Sequence, residues 1–275
     1  MKPNLFIPGA GRSGTTAISS LLSLHPEISF SWAKEPSYFD RNFDQGYSWY
    51  EGLFADCNTK YVGEASTNYL WYKEAPARIY KYDSCSKIII SLRNPVDRAF
   101  SEYTRRIQRR GETRSFEEVL LQTNFLRKRS AYAASIERYL SIFDRASIHF
   151  MLFERFKENP EKEIRKVFQF LDLSTDIKLD DARFDKNESK MPFSRRLQKV
   201  RNFIGSDLKD PKVVWYVKAA CRKILDNTNG AWGYRPLPKI SVDEAKMAYE
   251  VFYREWEEVE RLTGLSVTNL WTRYE

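Results

Sequence analysis

Leu5-Phe6-Ile7-Pro8-Gly9-Ala10-Gly11-Arg12-Ser13-Gly14-Thr15-Thr16-Ala17-Ile18-Ser19-Ser20-Leu21-Leu22 is the stretch on which the fold turns. Residues 5–8 read as a short buried strand and residues 9–14, with three glycines, as a loop. Ala17, Ile18, Leu21 and Leu22 recur at helical spacing through a helix over 15–24, which His25-Pro26 ends. A strand running through a glycine loop into a helix aims successive backbone N–H groups and the helix dipole at one point, where a phosphate-like anion is held. Gly9 and Gly14 have the separation of a nucleotide triphosphatase loop, but Thr15 stands where that loop has its Lys. Arg12 supplies the fixed charge instead, and its planar fork suits two oxygens of a tetrahedral anion.

Outward from this turn, strands are expected at Ile28–Ala33, Tyr61–Gly63, Lys87–Leu92 and Ser147–Leu152, with helices between them. After Asn94-Pro95 the apolar set Val96, Phe100, Tyr103 and Ile107 steps at helical spacing. Alternating β and α elements predict a three-layer α/β/α fold with a central parallel sheet and a P-loop-like anion loop. From roughly Phe193 the chain reads as mainly helical. Its final helix carries Ala245, Ala248, Tyr249, Phe252, Trp256 and Val259 on one stripe, expected to dock on the sheet. The expected organisation is one domain over 1–275, with an α/β nucleotide-binding core at 1–190 and a helical extension at 191–275.

With 42% hydrophobic and 30% charged residues, neither disorder nor a fibrous repeat fits. The aliphatic run Ile88-Ile89-Ile90 is far too short to span a bilayer, and the N-terminus reaches Pro and Gly before building a secretion signal. A cytoplasmic protein without a transmembrane segment is expected, with room for peripheral membrane contact. Cys57, Cys85 and Cys221 are too widely spaced for a disulfide framework or a metal pair, and the only histidines are His25 and His149, so no metal site is expected. A net charge of +8 concentrates anions around the protein: nucleotides, acidic sugars, nucleic acid or anionic lipid.

Two motifs occur in order: Gly11-Arg12-Ser13-Gly14-Thr15-Thr16 after a strand, and the strand Ile88-Ile89-Ile90-Ser91-Leu92 ending in Arg93, followed by Asn94-Pro95 and a helix bearing Ser101. Together they resemble the sulfotransferases that use 3′-phosphoadenosine 5′-phosphosulfate (PAPS), most of all the glycosaminoglycan and bacterial branch, over residues 5–175. The resemblance implies that Gly11, Arg12, Ser13, Gly14, Thr15 and Thr16 hold the 5′-phosphosulfate and that Arg93 and Ser101 grip the 3′-phosphate, retained in the product PAP. An Arg at the carboxyl end of a parallel strand does point into the crevice where such sheets bind ligands. Phe153-Glu154-Arg155-Phe156, with Glu158-Asn159-Pro160 and a helix to Leu173, is similar to the helical segment these enzymes carry after a late strand.

Sulfuryl transfer needs a base for the acceptor and stabilisation of charge on the moving oxygens, and in principle no metal. Lys34-Glu35-Pro36-Ser37-Tyr38-Phe39 is similar to the Glu-Pro-His-Phe-Phe segment of the glycosaminoglycan branch, whose Glu is the base, so the resemblance lands on Glu35, with Arg12 the second catalytic residue. Ser37 departs from that branch's His. Glu64-Ala65-Ser66-Thr67 resembles its Glu-Lys-Thr-Pro segment near the acceptor; Ala65 replaces the Lys, leaving Glu64 and Ser66 as candidate acceptor contacts. Trp49 and Trp71, with Trp32 and Tyr72, suit stacking on sugar rings. Arg105-Arg106, Arg109-Arg110 and Arg127-Lys128-Arg129 would favour an acidic acceptor such as a glycan or glycolipid. Asn187-Glu188-Ser189-Lys190 and Arg195-Arg196 have the composition of a flap over the donor and equally of an exposed loop.

Two other readings share these residues. A P-loop kinase would need the missing Lys and a strand-end Asp for Mg²⁺. A nucleic-acid binder would rest on the positive charge without a recognisable binding signature, leaving the anion loop unexplained.

Overall fold

The computed structural model describes residues 1–179 and 237–271. The expected flap at 187–196, Cys221 and most of the 191–275 extension lie outside these residues. Five parallel strands form one sheet: β1 (Leu5–Gly9), β2 (Ile28–Phe30), β3 (Tyr61–Glu64), β4 (Lys87–Leu92) and β5 (Ile148–Leu152), in the order β2-β3-β1-β4-β5. The chain thus winds away from β1 in both directions. The crevice at the carboxyl end of β1 is a topological switch point, where open α/β sheets bind ligands.

Side chains alternate across each strand, and two cores result. Leu5, Ile7, Ile89 and Met151 pack under α1 (Thr15–Leu22) with Ile164, Val167 and Phe168 of a helix at Pro160–Phe170. Phe6, Ile88, Ile90, Leu92, Phe150 and Leu152 face the other way, onto an aromatic-rich layer that includes α2 (Gly46–Gly52) and α3 (Ala75–Tyr82). Strand β2 is shorter than the Ile28–Ala33 expected. The Ser31 hydroxyl accepts the Ala33 amide at 3.0 Å and donates to the Leu53 carbonyl at 3.1 Å, turning the chain off the sheet.

Helix α4 (Pro95–Arg110) begins immediately after β4; α5 (Phe116–Gln122), α6 (Asn124–Ser130) and α7 (Ala133–Leu140) lead to β5, which α8 (Phe153–Glu158) and α9 (Pro160–Phe170) follow. Helix α10 (Val242–Thr263) starts with a reciprocal Ser241–Glu244 capping box, and a short α11 (Thr268–Trp271) follows it. The expected stripe docks: Ala248 and Phe252 pack on α4 and α5, while Trp256 and Val259 join the sheet core. Among the described residues no helix is long and apolar enough to cross a membrane.

Candidate active site

The end of β1 and the loop that follows it are fastened from β4 and from the turn beyond β3. The Ala10 amide donates to the Ser91 carbonyl at 2.6 Å, Ser91 Oγ donates to the Ser13 carbonyl at 2.7 Å, and the Leu70 amide donates to the Pro8 carbonyl at 2.9 Å. Gly14 caps α1 at φ +76°, and a Cβ there would lie 2.8 Å from two ring carbons of Phe153, so glycine is required both conformationally and sterically. Arg12 also has a left-handed backbone, φ +75°. Arg93 Nη1 holds its carbonyl at 3.2 Å, and Arg12 Nε donates to Ser101 Oγ at 3.0 Å.

Arg93 and Ser101 reach the loop because of how α4 starts. The Asn94 side chain accepts the Val96 amide at 2.9 Å and donates to the Trp271 carbonyl at 2.9 Å, and Pro95 occupies the first turn, so the helix begins at the strand end. Ser101 then sits two turns in, facing the loop. The Arg93 guanidinium lies 5.0 Å from the Phe153 ring centroid and 3.9 Å from Asp97. Burial pushes the Arg12 guanidinium below its usual range, Arg105, Arg93 and Arg98 add to the effect, and Glu102 opposes it. Crowded cations around a ring of backbone amides are complementary to a multiply charged anion. The Ser13 amide donates to the Ala10 carbonyl at 3.2 Å, and the Ser13 hydroxyl is buried without a hydrogen-bond partner among the described residues.

Arg98 was not singled out from the sequence. It is 1% exposed, its Nε donates to Ser130 Oγ at 2.8 Å and its Nη1 to the Gly11 carbonyl at 3.4 Å. The signal was present: Arg98, Glu102, Arg105 and Arg109 form a polar stripe at helical spacing on α4, parallel to the apolar one.

A cleft of about 670 Å³ opens beside Ala10 and Gly11, and nine Lys and Arg side chains line it against two carboxylates, Glu35 and Glu102. Helix α4 contributes Arg105, Arg106, Arg109 and Arg110; α6 contributes Lys128 and Arg129. Glu35 is exposed on the ridge between this cleft and a groove of about 220 Å³ lined by Thr15, Thr16 and Glu64, which sets it beside the anion loop on both sides. Trp71, 38% exposed, lines the cleft; Arg129 lies 4.5 Å from its ring centroid and 4.4 Å from that of Phe125. Burial pushes the Arg129 guanidinium down to about 10.

Three expected acceptor contacts are placed otherwise. Trp49 packs on Tyr38 in the aromatic layer and does not line the cleft. Glu64 and Ser66 are each 1% exposed: Ser66 Oγ donates to Glu64 at 2.5 Å, Tyr69 OH donates at 2.6 Å, and Tyr50 OH also donates to this carboxylate. Three hydroxyls occupy its oxygens, which therefore face inward. Neither histidine lines the cleft. His25 Nδ1 accepts the Glu27 amide at 3.1 Å and its ring packs 4.9 Å from Phe168, while burial holds His149 in β5 down to about 4.

A sulfotransferase domain model matches residues 2–218, which include the anion loop, Glu35, Arg93 and Ser101. The chain belongs to this sulfotransferase family. Among its sulfotransferase relatives, heparan sulfate glucosamine 3-O-sulfotransferase 3B1 of Mus musculus is 32% identical over 203 residues, covering 68% of this chain and 50% of that protein. The Homo sapiens 3B1 protein is 31% identical over 198 residues, with the same coverage of 68% and 50%. The chain therefore spans about half the length of the curated relatives it matches. The crystal structure of a sulfotransferase from Alicyclobacillus acidocaldarius superposes with a TM-score of 0.74 at 26% identity, over 99% of this chain and 100% of that one.

Proposed function

We propose that this sulfotransferase moves a sulfuryl group from PAPS to a hydroxyl or amine on an anionic, sugar-containing acceptor and releases PAP. The observation that carries the reading is the convergence of Arg12, Arg93 and Ser101 on one anion loop whose open side adjoins Glu35 and the basic cleft. In this reading the loop amides from Gly11 to Thr16, with Arg12, hold the 5′-phosphosulfate, and Arg93 with Ser101 hold the 3′-phosphate. Glu35 takes the proton of the acceptor as its oxygen or nitrogen forms the new bond to sulfur. The bond from sulfur to the phosphate oxygen breaks in line, and PAP leaves with the electron pair. Arg12 and the amides balance the charge spread over the moving oxygens.

The excess of cations supports an acidic acceptor, and an exposed indole beside Arg129 suits the apolar face of a sugar ring. The relatives named for heparan sulfate support the same class. The test is transfer of labelled sulfate from PAPS to heparan sulfate oligosaccharides, with an uncharged oligosaccharide as control. Expected are transfer to the anionic acceptor and its abolition by Glu35→Gln with PAP affinity nearly unchanged. Undiminished turnover by Glu35→Gln overturns the assignment of the base, and transfer that ignores acceptor charge overturns the acceptor class.

A further inference from the structure

Glu35 stands in a backbone conformation that L residues rarely adopt: its φ is +53°, and that of Ser37 is also +53°. Nothing in Lys34-Glu35-Pro36-Ser37 imposes this locally, since no residue there is glycine, so contacts from elsewhere must hold it. Two of them come from hydroxyls. The Ser37 amide donates to Ser66 Oγ at 2.9 Å, and the Phe39 amide donates to Tyr69 OH at 3.1 Å. Those two hydroxyls donate in turn to one oxygen of Glu64, Ser66 at 2.5 Å and Tyr69 at 2.6 Å, while Tyr50 OH donates to its other oxygen.

The proton order in this network has a single solution when Glu64 is ionised. A carboxylate offers no donor, so Ser66 and Tyr69 must each spend their only proton on it, which leaves their lone pairs for the Ser37 and Phe39 amides. An amide or a protonated carboxyl at position 64 introduces a donor at the hub. A donor facing Tyr50 turns only that hydroxyl, whereas an apolar side chain removes both acceptors, and Ser66 and Tyr69 then lose the partner that aims their protons away from the two amides. Both ends have further tethers: Arg78 Nη1 donates to the Phe39 carbonyl at 3.0 Å, Asn42 Nδ2 to the Pro36 carbonyl at 2.8 Å, and the Arg41 and Asn42 amides to the Ser37 carbonyl at 3.0 Å.

We infer that Glu64 is a positioning residue for the reaction: through Ser66 and Tyr69 it fixes the segment that presents Glu35 at the cleft. This rests on Glu35 being the base. Glu64 is 1% exposed and does not line the cleft, and three hydroxyls hold its oxygens.

The test compares Glu64→Leu, Ser66→Ala and their combination in the full chain, using PAPS with heparan sulfate oligosaccharides for kinetics and PAP for binding. Expected is a fall in kcat of about tenfold or more in each single variant, with KM and PAP affinity within about twofold, because the base is misplaced while both substrates still bind. The combined variant should fall little further, since both changes break one path. An unchanged kcat, a matching loss of PAP affinity, or fully multiplicative effects would each overturn the inference. Should Glu64→Leu fail to fold, the kcat-against-KM split of Ser66→Ala decides alone. Failure of the underlying reading is separable: it shows as undiminished turnover by Glu35→Gln or as absent PAP binding by the unmodified protein.

Discussion

Gly14→Ala isolates the steric demand of the anion loop, because the molecule supplies its own control. Gly14 and Gly264 both cap helices with left-handed backbones, at φ +76° and +72°. A Cβ at Gly264 meets nothing within 4 Å, whereas one at Gly14 lies 2.8 Å from Cδ2 and Cε2 of Phe153. The conformational cost of Ala at φ > 0 is roughly 1 kcal/mol at either site. At Gly14 the ring must also move, and forced overpacking adds about 1–3 kcal/mol. At roughly 2–4 °C per kcal/mol for a protein of this size, Gly264→Ala should lower Tm by about 3 °C and Gly14→Ala by about 9 °C. The consequences also differ in kind. The Arg93 guanidinium lies 5.0 Å from that Phe153 ring, so a displaced ring displaces the cation proposed to hold the 3′-phosphate, and PAP affinity should fall for Gly14→Ala alone. Thermal melting and calorimetric titration with PAP read both effects. Equal Tm losses in the two variants, or unchanged PAP affinity in Gly14→Ala, would refute the reasoning.

Ser101→Ala leaves Arg12 Nε without its hydroxyl partner and removes the proposed hydrogen-bond donor to the 3′-phosphate; at about 2 kcal/mol, PAP should bind roughly 30-fold more weakly while 5′-AMP binding changes much less, as calorimetry would show. Trp71→Ala should raise the acceptor KM severalfold with PAP affinity unchanged, whereas Trp49→Ala should lower Tm and leave acceptor kinetics alone, a contrast steady-state assays and melting can read. Burial pushes the Glu64 carboxyl up to about 7, above its value in the unfolded chain, so the folded state binds the extra proton between about pH 4.5 and 7. Its contribution to stability is present below that window and is lost as pH rises through it, with a slope up to about 1.4 kcal/mol per pH unit; Glu64→Gln should flatten the curve of denaturant-derived stability against pH there.

Much of this was legible in the sequence where a feature is local. The run Lys87–Leu92 forms β4 over those same residues because an uninterrupted aliphatic strand suits a sheet covered on both faces, and Asn94-Pro95 starts α4 by capping chemistry that needs no distant partner. The glycine loop announces an anion site because strand, turn and helix follow one another. What stayed hidden depends on how the chain folds back on itself. The carboxylate of Glu64 is filled by hydroxyls from Tyr50, Ser66 and Tyr69, so a residue that resembled an acceptor contact turns inward. Trp49 and Trp71 look alike in sequence, and only packing sends one into the aromatic layer and the other to the cleft. The stripe bearing Arg98 was readable, but its burial depends on Ser130 and the Gly11 carbonyl, which the fold brings to it.

The central claim is a donor site assembled from the loop around Arg12 and the α4 motif of Arg93 and Ser101, and calorimetric titration of the unmodified protein tests it most directly. PAP, 5′-AMP and ATP with Mg²⁺ would be compared under one condition. Tight PAP binding is expected, indifferent to metal and sharply weakened when the 3′-phosphate is missing. Clear binding of ATP with Mg²⁺ and none of PAP would contradict it, and with it the roles given to Arg93 and Ser101.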